Sequence, residues 1–195
     1  MSTPAARLRL MPSTSAVLHA VLLLAPLQAT ASCAMEDPPL LSLRVVNDHV
    51  RSEDRSLHIR LHESGCVTIR RPGFHRAPGQ FSGVVKGEQM AMLMQVTGSE
   101  SLRTMRADAV LAAAEAEATA SRAAGTAPLK HYVSHPTVYV LDFHGRKPDQ
   151  LRFDSVFQYE AFYPDAPAVA EAAQAVRAML ALDDLDGLQA VAVQP

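Results

Sequence analysis

Leu57-His58-Ile59-Arg60-Leu61-His62-Glu63-Ser64-Gly65-Cys66-Val67-Thr68-Ile69-Arg70 is the stretch on which the reading of the fold turns. Leu57, Ile59 and Leu61 alternate with His58, Arg60 and His62, so one face of an extended chain is apolar and the other polar. Glu63, Ser64 and Gly65 are turn residues, and Gly65 can take positive φ. Val67 and Ile69 then resume the alternation. Two alternating runs joined by a short glycine-containing turn predict a β-hairpin with one face to bury.

Downstream, Arg71-Pro72-Gly73 ends the hairpin, Pro78-Gly79 makes a turn, and 81–85 reads as a third strand. Met90, Leu93, Met94 and Val96 stand near helical spacing over 87–96, with Gly98 as a stop. Residues 103–124 read as one alanine-rich helix with a narrow apolar stripe at Met105, Val110 and Leu111. A second hairpin is expected from 137–143, rich in β-branched and aromatic residues, and 151–159. In the latter the alternation of Leu151, Phe153 and Ser155 shifts phase at Val156 and Phe157, the mark of a bulge. A last helix over 168–182 places Val169, Ala173, Val176, Met179 and Leu180 on one side. The expected class is α+β: an antiparallel sheet built from two hairpins, with about three helices on one face.

Upstream lies a different kind of sequence. Arg7 and Arg9 are the only charges before Glu36, residues 16–27 are almost wholly apolar, and Ala29-Thr30-Ala31 is a small-residue motif. A basic start, a short apolar run and an A-x-A end are the parts of a secretory signal peptide, with cleavage between Ala31 and Ser32. Twelve apolar residues fall short of the ~20 that span a bilayer. The expected organisation is a signal peptide over 1–31, a tail and linker over 32–56 that includes a short strand over 40–46, one domain over 57–187 and a C-terminal tail over 188–195. Export makes the two cysteines, Cys33 and Cys66, candidates for a disulfide in an oxidising compartment. The alternative is a lipoprotein leader with an acyl chain on Cys33, but Thr30 stands where such leaders want Leu.

The 195 residues suit one domain of modest core: 32 are alanine, none is Trp, and only 6 Phe and 4 Tyr add aromatic bulk. Usage of 15 Arg against 3 Lys points to a GC-rich, bacterial genome. Removing Arg7 and Arg9 from a chain of net charge −2 leaves −4. A weakly acidic chain has no electrostatic footprint for nucleic acid, and a membrane partner is expected only if Cys33 is lipidated.

No chemistry-bearing motif stands out. His58 and His62 are ~13 Å apart on a strand, too far to share a metal, and read as solvent-side residues. His131 and His135 precede Pro136 in an extended segment. His49, His75 and His144 fall in loops. Asp183-Asp184-x-Asp186-Gly187 resembles part of a calcium loop, but Leu182 and Val193 occupy its first and last ligand positions, so a solvated tail is expected. Ser82 sits off-centre for a nucleophile elbow. Asp142, Asp154 and Glu160 lie on or beside the second hairpin without a readable pairing. Arg70, Arg71, His75 and Arg76 form a small basic patch, read as a solvated loop or a site for an anion. No catalytic, cofactor-binding or metal residue is therefore assigned.

Residues 57–96 carry a strand-turn-strand "L-x-L-x-x-x-G-x-V" pattern, met by Ile59, Leu61, Gly65 and Val67, followed by a glycine-containing loop and a Met/Leu-rich helix. In this the chain resembles exported bacterial domains of unknown function, a resemblance that implies no activity. The expectation is an exported, periplasmic or secreted, non-enzymatic domain that binds a protein or small ligand. The alternative is an exported hydrolase or metal protein with dispersed residues. An uncovered sheet face would favour the first; three of His58, His62, His75, His131, His135, His144, Asp142 and Asp154 converging would favour the second.

Overall fold

The hairpin at the centre of the sequence forms as its alternation demands: β2 (Ser56–His62) and β3 (Cys66–Arg71) pair antiparallel, with Ile59 opposite Ile69 and Leu61 opposite Val67. Gly65 turns the chain at φ +81°, and its carbonyl accepts from Val85 N–H. In this computed structural model the residues described are 38–47, 50, 54–106, 108–125, 136–145 and 150–192. All belong to one compact unit, Ala31–Pro195. The leader and its cleavage site at Ala31 and Ser32, together with Cys33, His49, His131 and His135, lie outside the described residues.

Around the hairpin stand β1 (Pro39–Asn47), β4 (Gly79–Val84), β5 (Thr137–Phe143), β6 (Gln150–Asp154) and the two-residue β7 (Gln189–Ala190). The sheet order is β6-β5-β1-β2-β3-β4-β7, antiparallel throughout. β1 contains the short strand expected over 40–46, but it belongs to the domain rather than to a linker and is an inner strand, joining the two hairpins through β2 and β5. Its pattern of buried Leu41 and Leu43 against exposed Arg44 explains the placement, since an inner strand needs an apolar side to share the core.

Five helices, α1 (Gly87–Thr97), α2 (Glu100–Thr104), α3 (Ala109–Ala123), α4 (Val156–Phe162) and α5 (Pro167–Leu180), replace the three expected. Buried apolar side chains of all five join Leu43, Ile59, Leu61, Ile69, Leu141 and Phe153 in a single core cluster, so the helical layer covers one side of the sheet. α5 is the hub of that layer, packing on α1, α2, α3, α4 and β1. Its side toward the core is largely alanine, with Ala172, Ala173 and Ala175 fully buried, which lets the neighbouring helices approach closely.

Two element boundaries differ from the sequence reading. The alanine-rich helix is broken in two because Met105 takes an extended conformation (φ −63°, ψ 133°) that carries its side chain into the core. The phase shift at Val156 and Phe157 is not a bulge. Ser155 adopts the left-handed conformation (φ 53°, ψ 36°), ends β6 and starts α4. The periodicity changes there because the element does.

Candidate functional site on the polar sheet face

The face turned away from the helices is built from the alternate residues of the same strands. Register aligns Arg152, Val140, Arg44, His58, Arg70 and Gln80 in one row across β6, β5, β1, β2, β3 and β4, with Arg152 two strands from Arg44 and paired with Asp154. The adjacent row holds Gln150, Asp142, Ser42, Arg60, Thr68 and Ser82. Arg44, Arg60 and Arg70 are exposed, and His58 stands half-buried among them. Toward its margins the face closes: His62, Cys66, Val138 and Val140 are buried although they point to this side. His62, expected on the solvent side, is only 4% exposed, opposite Pro39 at the irregular start of β1.

Two shallow hollows mark the centre of this face. One, of about 270 Å³, is lined by His58, Arg60, Thr68, Arg70, Gln80 and Phe81. The other, of about 460 Å³, is lined by Ser42, Arg44, His58, Arg60, Asp142 and His144. His58 and Arg60 belong to both. The His58 pKa is lowered below its usual 6.5, first by burial and then by the positive charges of Arg70, Arg44 and Arg60, with Asp54 opposing. His58 Nε2 is in hydrogen-bond contact with Ser56 Oγ at 2.8 Å. Asp54 pairs with Arg70 at 2.8 Å. Arg44 and Arg60 make no ion pair among the described residues.

Beside Arg44, Ser42 Oγ lies 3.0 Å from His144 Nε2 and donates to Asp142 at 3.4 Å. A serine within reach of a histidine is the start of a nucleophilic site. Here, however, the carboxylate engages the serine rather than the imidazole it would have to orient, and it also accepts from Gln150 Nε2. The sequence concealed this trio, since Ser42 and Asp142 are 100 residues apart.

The remaining histidines and carboxylates of the sequence reading stay apart. His75 faces Asp183 at 3.5 Å, Asp154 pairs with Arg152, and Glu160 pairs with Arg177. Among the described residues no group of three or more His, Cys, Asp or Glu is placed to hold a metal ion. The acidic C-terminal stretch is not simply solvated: residues Ala181–Asp184 form a 3-10 turn, and Asp183 accepts from Arg71 Nε at 2.7 Å. Arg71 also donates to the Asp183 carbonyl and lies 4.3 Å over the Phe81 ring. Arg71, read from sequence as part of a basic patch, thus has its anion inside the fold. Arg70, one residue earlier, points to the opposite side and remains on the open face.

Compared with known proteins, the chain matches no family model, no curated protein and no solved structure.

Proposed function

We propose that this chain is an exported bacterial binding domain, not an enzyme, and that its working surface is the polar sheet face over β1, β2 and β3. The observation that carries the reading is the contrast between the two faces. One is filled by five helices, while the other presents Arg44, Arg60 and Arg70 to solvent around a half-buried His58. Charged side chains on inner strands contribute nothing to a core, and their long stems and exposed heads suit recognition. The leader over 1–31 supports export to the periplasm or medium. No helix among the described residues is long and apolar enough to cross a membrane. Burial of Cys66, and the lack of any free cysteine among the described residues, support a Cys33–Cys66 disulfide over lipidation of Cys33.

Intact mass of the protein expressed with its leader tests the export half. A chain starting at Ser32 that gains two hydrogens on reduction is expected; one starting at Cys33 with acyl chains overturns it. Hydrogen exchange of the mature protein, with and without a soluble extract of the exporting cells' envelope, tests the surface. Protection confined to β1–β3 is expected, whereas protection confined to the helices overturns the assignment.

The Ser42–His144 contact favours a second reading, an exported hydrolase. Covalent labelling of Ser42 by a fluorophosphonate would establish it, and an unlabelled protein would remove it.

A further inference from the structure

Resting on that reading of the polar face, we propose that Arg44, Arg60 and Arg70 form a site for a multiply charged oxyanion, a phosphate or polycarboxylate group, seated beside His58. The register supplies the geometry. Arg44 and Arg70 flank His58 directly on the neighbouring strands, and Arg60 is two residues along β2 from it. Arg60 is therefore a diagonal neighbour of both other arginines, with Cβ atoms on such diagonals ~7–8 Å apart, a span that long side chains close. Guanidinium groups present planar pairs of N–H donors that match the oxygens of a carboxylate or phosphate. Three of them on adjacent strands repel one another, and an anion placed between them converts that repulsion into attraction.

The local acids say where the anion sits. Asp54 pairs with Arg70, whereas Arg44 and Arg60 have no ion-paired carboxylate among the described residues. Asp142, a diagonal neighbour of Arg44 on β5, lines the larger hollow, where it disfavours a second negative charge. The anion is thereby directed to the row Arg44–His58–Arg70, with Arg60 above it and the Thr68 hydroxyl and Gln80 amide in the adjoining hollow as neutral partners.

His58 makes the site responsive to pH. The groups facing it are Arg44 from β1, Arg60 from its own strand, Arg70 from β3 and Asp54 from the segment before β2. A bound oxyanion offsets the arginines that keep the imidazole neutral, so binding is accompanied by proton uptake. His58 protonation therefore adds affinity as pH falls from 7.5 toward 5.5, against the loss of charge from the ligand's own protonation, which is common to wild type and any His58 variant.

The test is calorimetric titration of the mature, disulfide-intact protein at low ionic strength with inorganic phosphate and, separately, citrate. Saturable binding of at least one is expected, weakened tenfold or more in Arg44→Gln and in Arg60→Gln and unchanged in Arg152→Gln, which lies on the outer strand β6. His58→Gln is expected to keep binding at pH 7.5 and to show a lower ratio of affinity at pH 5.5 to affinity at pH 7.5 than the wild type, and an equal ratio removes the role of His58. Melting curves of each variant show whether it folds, and Arg44→Gln and Arg60→Gln are separate variants so that loss of one leaves the other. Phosphate binding without citrate assigns a phosphoryl ligand, and the converse a polycarboxylate. Absence of saturable binding for both, or affinities unchanged in the arginine variants, overturns the site. If both probes fail while envelope extract still protects β1–β3, only the oxyanion proposal falls. If protection lies elsewhere, the reading of the surface falls as well.

Discussion

Ser155 bears the least comfortable backbone among the described residues, the only non-glycine at positive φ, while its hydroxyl is buried at 1% exposure with no hydrogen-bond partner. The left-handed conformation costs a residue with a Cβ ~1–2 kcal/mol, and a buried unsatisfied hydroxyl ~1–3 kcal/mol. Ser155→Gly relieves both against the extra freedom of glycine in the unfolded chain, and is expected to raise stability by ~1 kcal/mol in urea titration. Ser155→Ala relieves only the second. Arg71 and Asp183 illustrate the opposite case, with side chains only 12% and 14% exposed. Arg71→Leu leaves the Asp183 carboxylate buried without its cation, and a loss of ~3 kcal/mol is expected in the same measurement. The sequence made Arg71 visible as a charge but could not show its partner 112 residues away, because only the folded chain brings the two within reach.

At the level of elements, alternation and turn chemistry were enough to read the β2–β3 hairpin, β-branched and aromatic content to read β5, and helical spacing to read α5. What stayed hidden were events one residue wide. Met105 breaks a run of good helix formers by taking an extended backbone with its side chain buried, tertiary packing overriding propensity there. Ser155 converts a strand into a helix by a single dihedral change. Gly98, by contrast, was legible as a stop, and its reason is steric. A Cβ there would stand 2.5 Å from the Met94 carbonyl oxygen, which also accepts from Gly98 N–H. Gly98→Ala is expected to fray the last turn of α1, seen as faster amide exchange at Val96 and Thr97. In α5, Met179 is fully buried within the helical layer, and Met179→Ala is expected to remove ~3 kcal/mol by transfer loss and cavity formation.

Over the whole molecule, the α+β class followed from counting which periods occur in which order, whereas the position of β1 did not. A short strand was legible over 40–46, but its place between β2 and β5 shows only once both partners are paired. The candidate site was equally invisible, since its arginines come from three strands and only Arg70 belonged to a recognisable cluster. That arrangement has a global signature in pH. His58 binds its proton less tightly in the folded protein than in the unfolded chain, so the unfolded state takes up more protons on acidification. Its contribution to stability is complete above about pH 6.5 and is lost as pH falls through the lower folded value. Melting temperature is thus expected to fall below pH 6.5 in the free protein, less steeply in His58→Gln, and to be restored by a saturating oxyanion.

The place of β1 also sets an order of events in synthesis. Ser42 faces Arg60 on one side and Asp142 on the other, so the strand's second ladder is completed only after some hundred further residues have been made. Loop closure over such a distance is slow, and the apolar edge of β1 waits unpaired meanwhile. A nascent chain ending before Thr137 has no strand to lay along it. The architecture itself thus postpones closure until the last third of the chain has arrived.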